Sequence, residues 1–201
     1  MKFFVLPPAL LLFIILVSSC PAADQGSIGL QSIQADFIQE KHLKILIRPL
    51  ISNGTFTFQA PQSLRWEYRT PVPSVLLMHG GKIKKFVERD GQLVEDRGLR
   101  LDSMQVVLGQ ISNWLDGRFS DNDMFSVSFI DERSVLLTPK NQGLAGLISK
   151  IELKLADQKG LLDGVTIFEG PDSYTTMVFE NRILNKEIPV SVFTGPSKRE
   201  K

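Results

Sequence analysis

The 201-residue chain has few of the side chains that metal centres, disulfide frameworks and catalytic dyads use. It contains one cysteine and two histidines, which excludes a zinc site built from several Cys and His ligands and any internal disulfide. Its 23 Lys and Arg side chains are balanced by 22 Asp and Glu side chains. Proteins that bind nucleic acids through phosphate contacts carry a basic excess, so we expect no nucleic-acid partner. What is present is an ordinary globular composition of a length that suits one domain.

The two histidines are not part of any recognisable catalytic motif. His42 lies between Lys41 and Leu43 in a predicted strand, and His79 precedes two glycines in a predicted turn. Neither an HExxH pattern nor a nucleophile elbow occurs. We interpret both histidines as surface or turn residues, and a hydrolase that uses His42 or His79 is the least favoured hypothesis. The acidic stretch from Asp121 to Glu132 lacks the 12-residue calcium-loop pattern and is interpreted as a solvated loop.

The N-terminus has the features of an export signal. Lys2 is followed by an apolar run from Phe3 to Val17 and then by small residues, which is typical of a secretory signal peptide. The run is shorter than the roughly 20 residues of a membrane-spanning helix, although an uncleaved anchor is the alternative. We predict a signal peptide over residues 1–20, which leaves a mature chain of about 180 residues with balanced charge.

The single cysteine lies at the end of this signal. The sequence Leu16-Val17-Ser18-Ser19-Cys20 resembles the lipobox of bacterial lipoproteins, in which the cysteine becomes the lipid-bearing first residue. The alternative is ordinary cleavage after Ala22 or Ala23, which would discard Cys20. Pro21 rather than Asp follows the cysteine, and by the enterobacterial sorting pattern this favours the outer membrane.

The remainder of the chain reads mainly as strands. A short helix is predicted over 28–37, then a strand through 42–47. Period-two alternation predicts further strands over 55–59, 64–68, 74–78, 82–87, 125–129, 134–138, 151–155, 165–168 and 174–179. Asn53-Gly54 and Asp90-Gly91 are typical of hairpin turns. Apolar residues at spacings of three and four predict an amphipathic helix over 102–117, and a helical turn is predicted near 144–148.

Nine or ten strands in hairpin order, without βαβ alternation, predict a mainly β fold with an antiparallel sheet. Its apolar face must be covered, and the chain supplies only two or three short helices. We therefore expect an incomplete antiparallel β-barrel, or half-barrel, with a helical lid in its mouth. The hollow between sheet and lid would be an apolar ligand site.

Several motifs in this order resemble the outer-membrane lipoprotein carrier family, the LolA type. The resemblance covers about residues 28–194 and is strongest over 53–81. It rests on a Phe-x-Gln element at Phe37-Ile38-Gln39, a Gly-initiated aromatic strand from Gly54 to Gln59, Pro61, Leu64-Arg65-Trp66, Pro71, Ser74-Val75, the Gly80-Gly81 turn and Leu136-Leu137-Thr138-Pro139.

The resemblance implies a lipid-carrier domain over residues 24–194, followed by a frayed tail over 195–201. It implies a carrier in the periplasm of a Gram-negative bacterium that shields the acyl chains of lipoproteins, or of another lipid, in an apolar cavity. It implies no enzyme activity, no cofactor and no metal. The implied partners are acylated lipoproteins or lipids, the inner-membrane release machinery and an outer-membrane acceptor, and we expect a monomer. Because the related receptor LolB is itself a lipoprotein, anchoring to the outer membrane through Cys20 is compatible with the fold.

The expected lipid-binding cavity combines residues of the predicted strands with one face of the predicted helix. It is lined by Phe56, Phe58, Trp66, Tyr68, Met104, Leu108, Ile111, Trp114, Phe125 and Phe129. The competing hypothesis is a non-enzymatic structural or interaction protein of the cell envelope, in which the same residues form a filled core. The chain departs from the family at Ala60, where typical carriers have an arginine that ties the lid to the barrel. Arg65 and Arg48 are the candidates to replace it.

Overall fold

One large antiparallel sheet forms the molecule. The computed structural model describes residues 29–98, 110, 111, 113, 114, 119, 122–157 and 161–196. Eleven strands lie in the order β6-β5-β4-β3-β2-β1-β11-β10-β9-β8-β7. Their bounds are β1 Ser32–His42, β2 Leu50–Gln59, β3 Ser63–Thr70, β4 Ser74–His79, β5 Lys82–Arg89, β6 Gln92–Glu95, β7 Phe125–Asp131, β8 Ser134–Pro139, β9 Lys150–Leu155, β10 Leu162–Gly170 and β11 Ser173–Leu184.

The sheet is open, because β6 and β7 lie at its two ends. All neighbouring strands follow each other in sequence except β1 and β11, which pair in the middle, from Ile33 opposite Leu184 to His42 opposite Tyr174. The predicted mainly β antiparallel fold is therefore confirmed, with a sheet that does not close into a barrel.

Few helices accompany the sheet in the described residues. Helix α1 is Gln142–Ala145, and the Asn141 side chain caps it by accepting a hydrogen bond from the Leu144 N–H. A 3₁₀ helix, η1, is Val190–Phe193. Residues 110, 111, 113 and 114 are helical and fall inside the helix predicted over 102–117, whose other residues are outside the described part. The predicted lid of two or three helices is thus not confirmed. No helix in the described ranges is long and apolar enough to cross a membrane.

The predictions for the first two elements are wrong. The segment predicted as a helix over 28–37 belongs mainly to β1, and the predicted strand over 42–47 is mostly the loop that follows it. Ile33, Ala35 and Phe37 are buried at every second position, which is strand periodicity. Ile28 and Leu30, which lie outside this alternation, produced the mixed spacing that favoured a helix.

Of the two predicted Gly turns, one is confirmed and one is wrong. Asp90 and Gly91 connect β5 to β6 with φ values of 52° and 76°, as a tight hairpin turn requires. Asn53 and Gly54 lie instead inside β2. Gly54 is needed there because a Cβ at this position would lie 1.8 Å from the carbonyl oxygen of Glu67.

Side chains of the sheet divide between an inner and an outer face. The inner face carries the main core, which includes Phe56, Trp66, Leu153 and Val135 together with Trp114 from the helical residues. The outer face carries a smaller apolar cluster of Val75, Leu77 and Phe86, against which Leu93 packs.

Candidate functional site

An aromatic cluster occupies the inner face where β1, β2, β3 and β11 lie side by side. Its members are Phe37, Phe56, Trp66, Tyr68 and Phe179. The ring centroids of Phe37 and Trp66 are 4.7 Å apart, and those of Phe56 and Trp66 are 5.2 Å apart. Edge-on and tilted pairs at such distances are favourable for aromatic rings, so this cluster is a tightly packed apolar layer.

Strand alternation and one glycine produce this cluster. Phe56 lies directly opposite Trp66 in the β2–β3 ladder, and Ala35 lies opposite Phe56 in the β1–β2 ladder. Gly54 lies opposite Phe37, and a Cβ on Gly54 would come within 2.8 Å of the Phe37 ring. The missing side chain therefore leaves the space in which the Phe37 ring lies.

Some polar groups of this layer form hydrogen bonds and others do not. The Tyr68 hydroxyl donates a hydrogen bond of 2.7 Å to Oε1 of Gln39. The indole N–H groups of Trp66 and Trp114 are buried and have no hydrogen-bond partner among the described residues. Within the described part of the inner face, these are two donors without a partner, and each such donor costs about 1–3 kcal/mol.

The inner face continues from the aromatic cluster into an aliphatic half. Val135, Leu137 and Ile151 are completely buried, and Leu153 and Val165, which are Cα partners across β9 and β10, extend the same layer. The helical residues Ile111 and Trp114 are 1% and 0% exposed and belong to the same core cluster. The helical segment is therefore packed with the inner face.

The structure brings most of the sequence-predicted site residues together on this face. Phe56, Phe58, Trp66, Ile111, Trp114 and Phe125 are buried in the single core cluster, and Tyr68 packs against it. Phe129 is 52% exposed on β7 at the edge of the sheet, where its ring lies 6.5 Å from that of Phe119. Met104 and Leu108 are outside the described residues.

Sequence reasoning missed two members of the aromatic cluster. Phe37 was assigned to a helix, so its place beside Trp66 could not be inferred. Phe179 lies in a predicted strand, and its alternation with Met177, which is also buried, was a usable signal. Both residues face the inner layer because β1 and β11 pair in the middle of the sheet, with Phe37 directly opposite Phe179.

Arg65, one of the two candidates for the missing lid arginine, contacts the C-terminal segment on the outer face. Its side chain is almost fully buried and donates to Oε2 of Glu67 at 2.7 and 2.8 Å. It also donates to the carbonyl oxygens of Val192 and Gly195 at 3.2 and 3.0 Å. These contacts fasten η1 and the residues after it across β3.

Ala60 and Arg48, the other two residues of the lid-arginine prediction, lie beyond opposite ends of the strand β2. Ala60 is in the turn between β2 and β3, where its N–H donates to the carbonyl of Gln31 at 2.8 Å and its side chain packs against the inner core. Arg48 is exposed in the loop between β1 and β2.

The histidines lie far from each other in the sheet. The His42 ring stacks on Tyr174 at 4.3 Å. His79 ends β4, and its Nδ1 lies 2.9 Å from Oγ of Ser63. Its ring lines an outer-face cleft of about 210 Å³ together with Leu77, Lys82, Lys84, Phe193 and Thr194. Within the described ranges no group of three or more His, Cys, Asp or Glu side chains is close enough to hold a metal ion.

Comparison with known proteins identifies the family. The family model for the outer membrane lipoprotein carrier protein LolA matches residues 29–195. The chain belongs to the LolA family. Within this LolA family member the match runs from just before β1 to Gly195, whose carbonyl Arg65 holds.

Two solved structures from bacteria are similar to this chain at low sequence identity. A LolA superfamily protein from Nitrosomonas europaea is 12% identical over 86% of this chain and 94% of its own, with a TM-score of 0.43. A DUF1329 family protein from Desulfovibrio piger is 10% identical over 83% of this chain and 90% of its own, with a TM-score of 0.46. No curated protein matches this LolA family member significantly.

Proposed function

We propose that this protein carries acyl chains of lipoproteins, or of another lipid, on the inner face of its sheet and takes part in lipoprotein transport to the outer membrane. The observation that carries the proposal is the unbroken apolar inner face, which extends from the aromatic cluster to the aliphatic half in a chain of the LolA family. An apolar ligand needs no specific polar contact there, since each buried methylene contributes about 0.8 kcal/mol.

In the proposed mechanism, Ile111 and Trp114 cover part of the inner face and are displaced by the ligand. Ile111 and Trp114 pack with the sheet core but belong to a segment between β6 and β7, which are the two edge strands. Displacing these two side chains would free part of the inner face without breaking a strand pairing. An acyl chain entering here would take over the contacts that the helical residues make, which is a shift between closed and open populations.

The proposed site includes the sequence-predicted residues and two that the structure adds. They are Phe56, Phe58, Trp66, Tyr68, Met104, Leu108, Ile111, Trp114, Phe125 and Phe129, joined by Phe37 and Phe179. An acyl ester also carries a carbonyl oxygen, and we expect it to accept a hydrogen bond from one of the unused indole donors of Trp66 and Trp114.

The remaining parts of the proposal follow from the sequence and the family. We propose a periplasmic, monomeric carrier domain over residues 24–194, which receives cargo from inner-membrane release machinery and delivers it to an outer-membrane acceptor. Cys20 is the proposed site of lipidation. Mass spectrometry of the purified protein tests this directly: an acylated N-terminal Cys20 is expected, and an unmodified start at Ala23 or Asp24 would contradict it.

Tryptophan fluorescence tests lipid binding at the site itself. The chain has two tryptophans, Trp66 and Trp114, and both lie in the inner-face core. A bromine-labelled fatty acid, whose bromine quenches indole emission on contact, should quench this emission in a saturable way, and an unlabelled fatty acid of the same length should reverse the effect. Trp114→Phe leaves Trp66 as the single reporter in the strands, and its emission should be quenched as well.

The packing of the described residues favours a second candidate, a structural or interaction protein with a filled core. Trp66, Phe56 and Trp114 are between 0% and 1% exposed. If this core does not open, neither tryptophan is quenched at any soluble concentration of the brominated lipid. That result would refute the carrier proposal and support the filled core.

A further inference from the structure

The loop between β1 and β2 carries the most exposed aliphatic side chains of the described residues. Ile45, Leu46 and Ile47 are 85%, 40% and 102% exposed. Nowhere else in the described ranges are three consecutive large hydrophobic residues exposed. We call residues 43–49 the aliphatic tip.

The aliphatic tip projects from the end of the sheet. The pairing of β2 with β3 stops at Asn53 opposite Thr70, whereas β2 continues to Leu50 paired with β1 alone. The last residues of the hairpin therefore extend past β3. A backbone hydrogen bond of 2.9 Å from the N–H of Leu46 to the carbonyl of Leu43 closes a turn at its end. On the other side, β1 stays paired with β11 as far as His42 opposite Tyr174, so the tip extends past β3 and lies beside the β10–β11 turn.

Cationic side chains flank the aliphatic residues, and residues 43–51 contain no Asp or Glu. Lys44 lies just before Ile45 and pairs with Asp172 at 3.0 Å, both side chains being well exposed. Arg48 follows Ile47 and has no ion pair among the described residues. An aliphatic end with cations beside it matches the layering of a bilayer surface, where phosphates lie above the acyl chains.

We propose that the aliphatic tip inserts into the interfacial layer of a phospholipid bilayer that contains anionic lipid. Ile45, Leu46 and Ile47 enter the acyl boundary, and Lys44 and Arg48 remain at the phosphates. Most of the affinity comes from aliphatic burial, because Lys44 also pairs with Asp172, which weakens its attraction to the phosphates. This inference goes beyond the proposed carrier function, and its test does not depend on lipid binding at the inner face.

A fluorescent label on the tip reports insertion even when the N-terminal apolar run binds the same vesicles. In the full chain with Cys20→Ser, Leu46→Cys is labelled with an environment-sensitive NBD group. A matched chain carries the label through Ile130→Cys, because Ile130 is 59% exposed at the opposite end of the sheet. Both are bound to vesicles of phosphatidylethanolamine and phosphatidylglycerol, with and without a nitroxide on the lipid acyl chain.

The label at position 46 should brighten several-fold on vesicles and be quenched by the acyl-chain nitroxide, whereas the label at position 130 should change little. The double substitution Ile45→Ser and Ile47→Ser should reduce the fluorescence increase of the label at position 46 by about tenfold or more, because two aliphatic side chains no longer enter the acyl layer. This variant should keep its tryptophan quenching by brominated fatty acid, because the changed side chains are exposed.

Two outcomes would overturn the proposal. One is a label at position 46 whose fluorescence stays that of a group in water although the chain co-floats with the vesicles in a density gradient. That result would favour a protein partner as the ligand of the aliphatic tip. The other is an equal response at positions 46 and 130. Lys44→Gln with Arg48→Gln should reduce the response on vesicles with phosphatidylglycerol and leave it unchanged on neutral vesicles, and a loss on both would contradict the charge assignment.

Discussion

Gly54→Ala should destabilise the protein more than any other Gly→Ala change in the strands. A Cβ at this position would lie 1.8 Å from the carbonyl oxygen of Glu67 and 2.8 Å from the Phe37 ring. Contacts under 3.0 Å essentially never occur for real Cβ atoms, so β2 and β3 would have to separate by more than an ångström. The obstacle on the β3 side is backbone, which cannot move aside as a flexible side chain can.

The magnitude follows from what this separation disrupts. Overpacking a well-packed core costs about 1–3 kcal/mol, and a weakened ladder hydrogen bond adds about 1 kcal/mol. Alanine also lowers the conformational entropy of the unfolded chain, which raises the free energy of unfolding by about 0.5 kcal/mol. The expected net loss of about 1.5–3.5 kcal/mol is large beside a typical unfolding free energy of about 5–15 kcal/mol.

Urea unfolding followed by tryptophan emission measures this loss, and two other glycines provide controls. With a slope of about 2 kcal/mol per molar urea, the midpoint should fall by roughly 1–2 M. Gly164→Ala should cost less, because its nearest obstacle is the Met177 carbonyl oxygen at 2.8 Å, and Gly170→Ala should be close to neutral, because no atom lies within 4 Å. A Gly54→Ala midpoint within about 0.3 M of the parent protein would refute the reasoning.

Three further perturbations test other parts of the fold. Arg65→Gln should lower the free energy of unfolding by about 1–3 kcal/mol. It should also accelerate amide hydrogen exchange over residues 190–195, because the Arg65 hydrogen bonds to the carbonyls of Val192 and Gly195 are lost, and unchanged exchange would contradict this. A hydrogen bond from the backbone N–H of Arg133 lowers the pKa of Asp131. The ionised carboxylate therefore stabilises the turn between β7 and β8 above its unfolded pKa, and this stabilisation is lost as pH falls through the lower folded pKa. Carbon-detected NMR titration should place the Asp131 midpoint below 3.8. Phe56→Ala should cost about 3–5 kcal/mol, whereas Phe129→Ala should cost under about 1 kcal/mol, in thermal or urea unfolding.

Local patterns in the sequence predicted most strands but not how the ends of the chain meet. The alternation around Trp66 and Phe56 located their strands and their shared face, since strand periodicity is a local property. The pairing of Phe37 with Phe179 joins residues 142 positions apart, and no local pattern encodes such a contact. At Gly54 a local pattern gave the wrong prediction. Asn-Gly strongly prefers a turn, but here close packing against Phe37 and Glu67 keeps both residues inside β2.

The two faces of the sheet separate stability from the proposed binding. On the outer face, Arg65 fastens the C-terminal segment, and Val75, Leu77 and Phe86 form a core of their own. In the described part of the chain, these contacts do not involve the helical residues Ile111 and Trp114, which belong to the inner core cluster. The outer contacts and the strand ladders are therefore formed without Ile111 and Trp114. For the proposed carrier, we therefore expect an acyl chain to displace these two side chains from the inner face without unfolding the sheet.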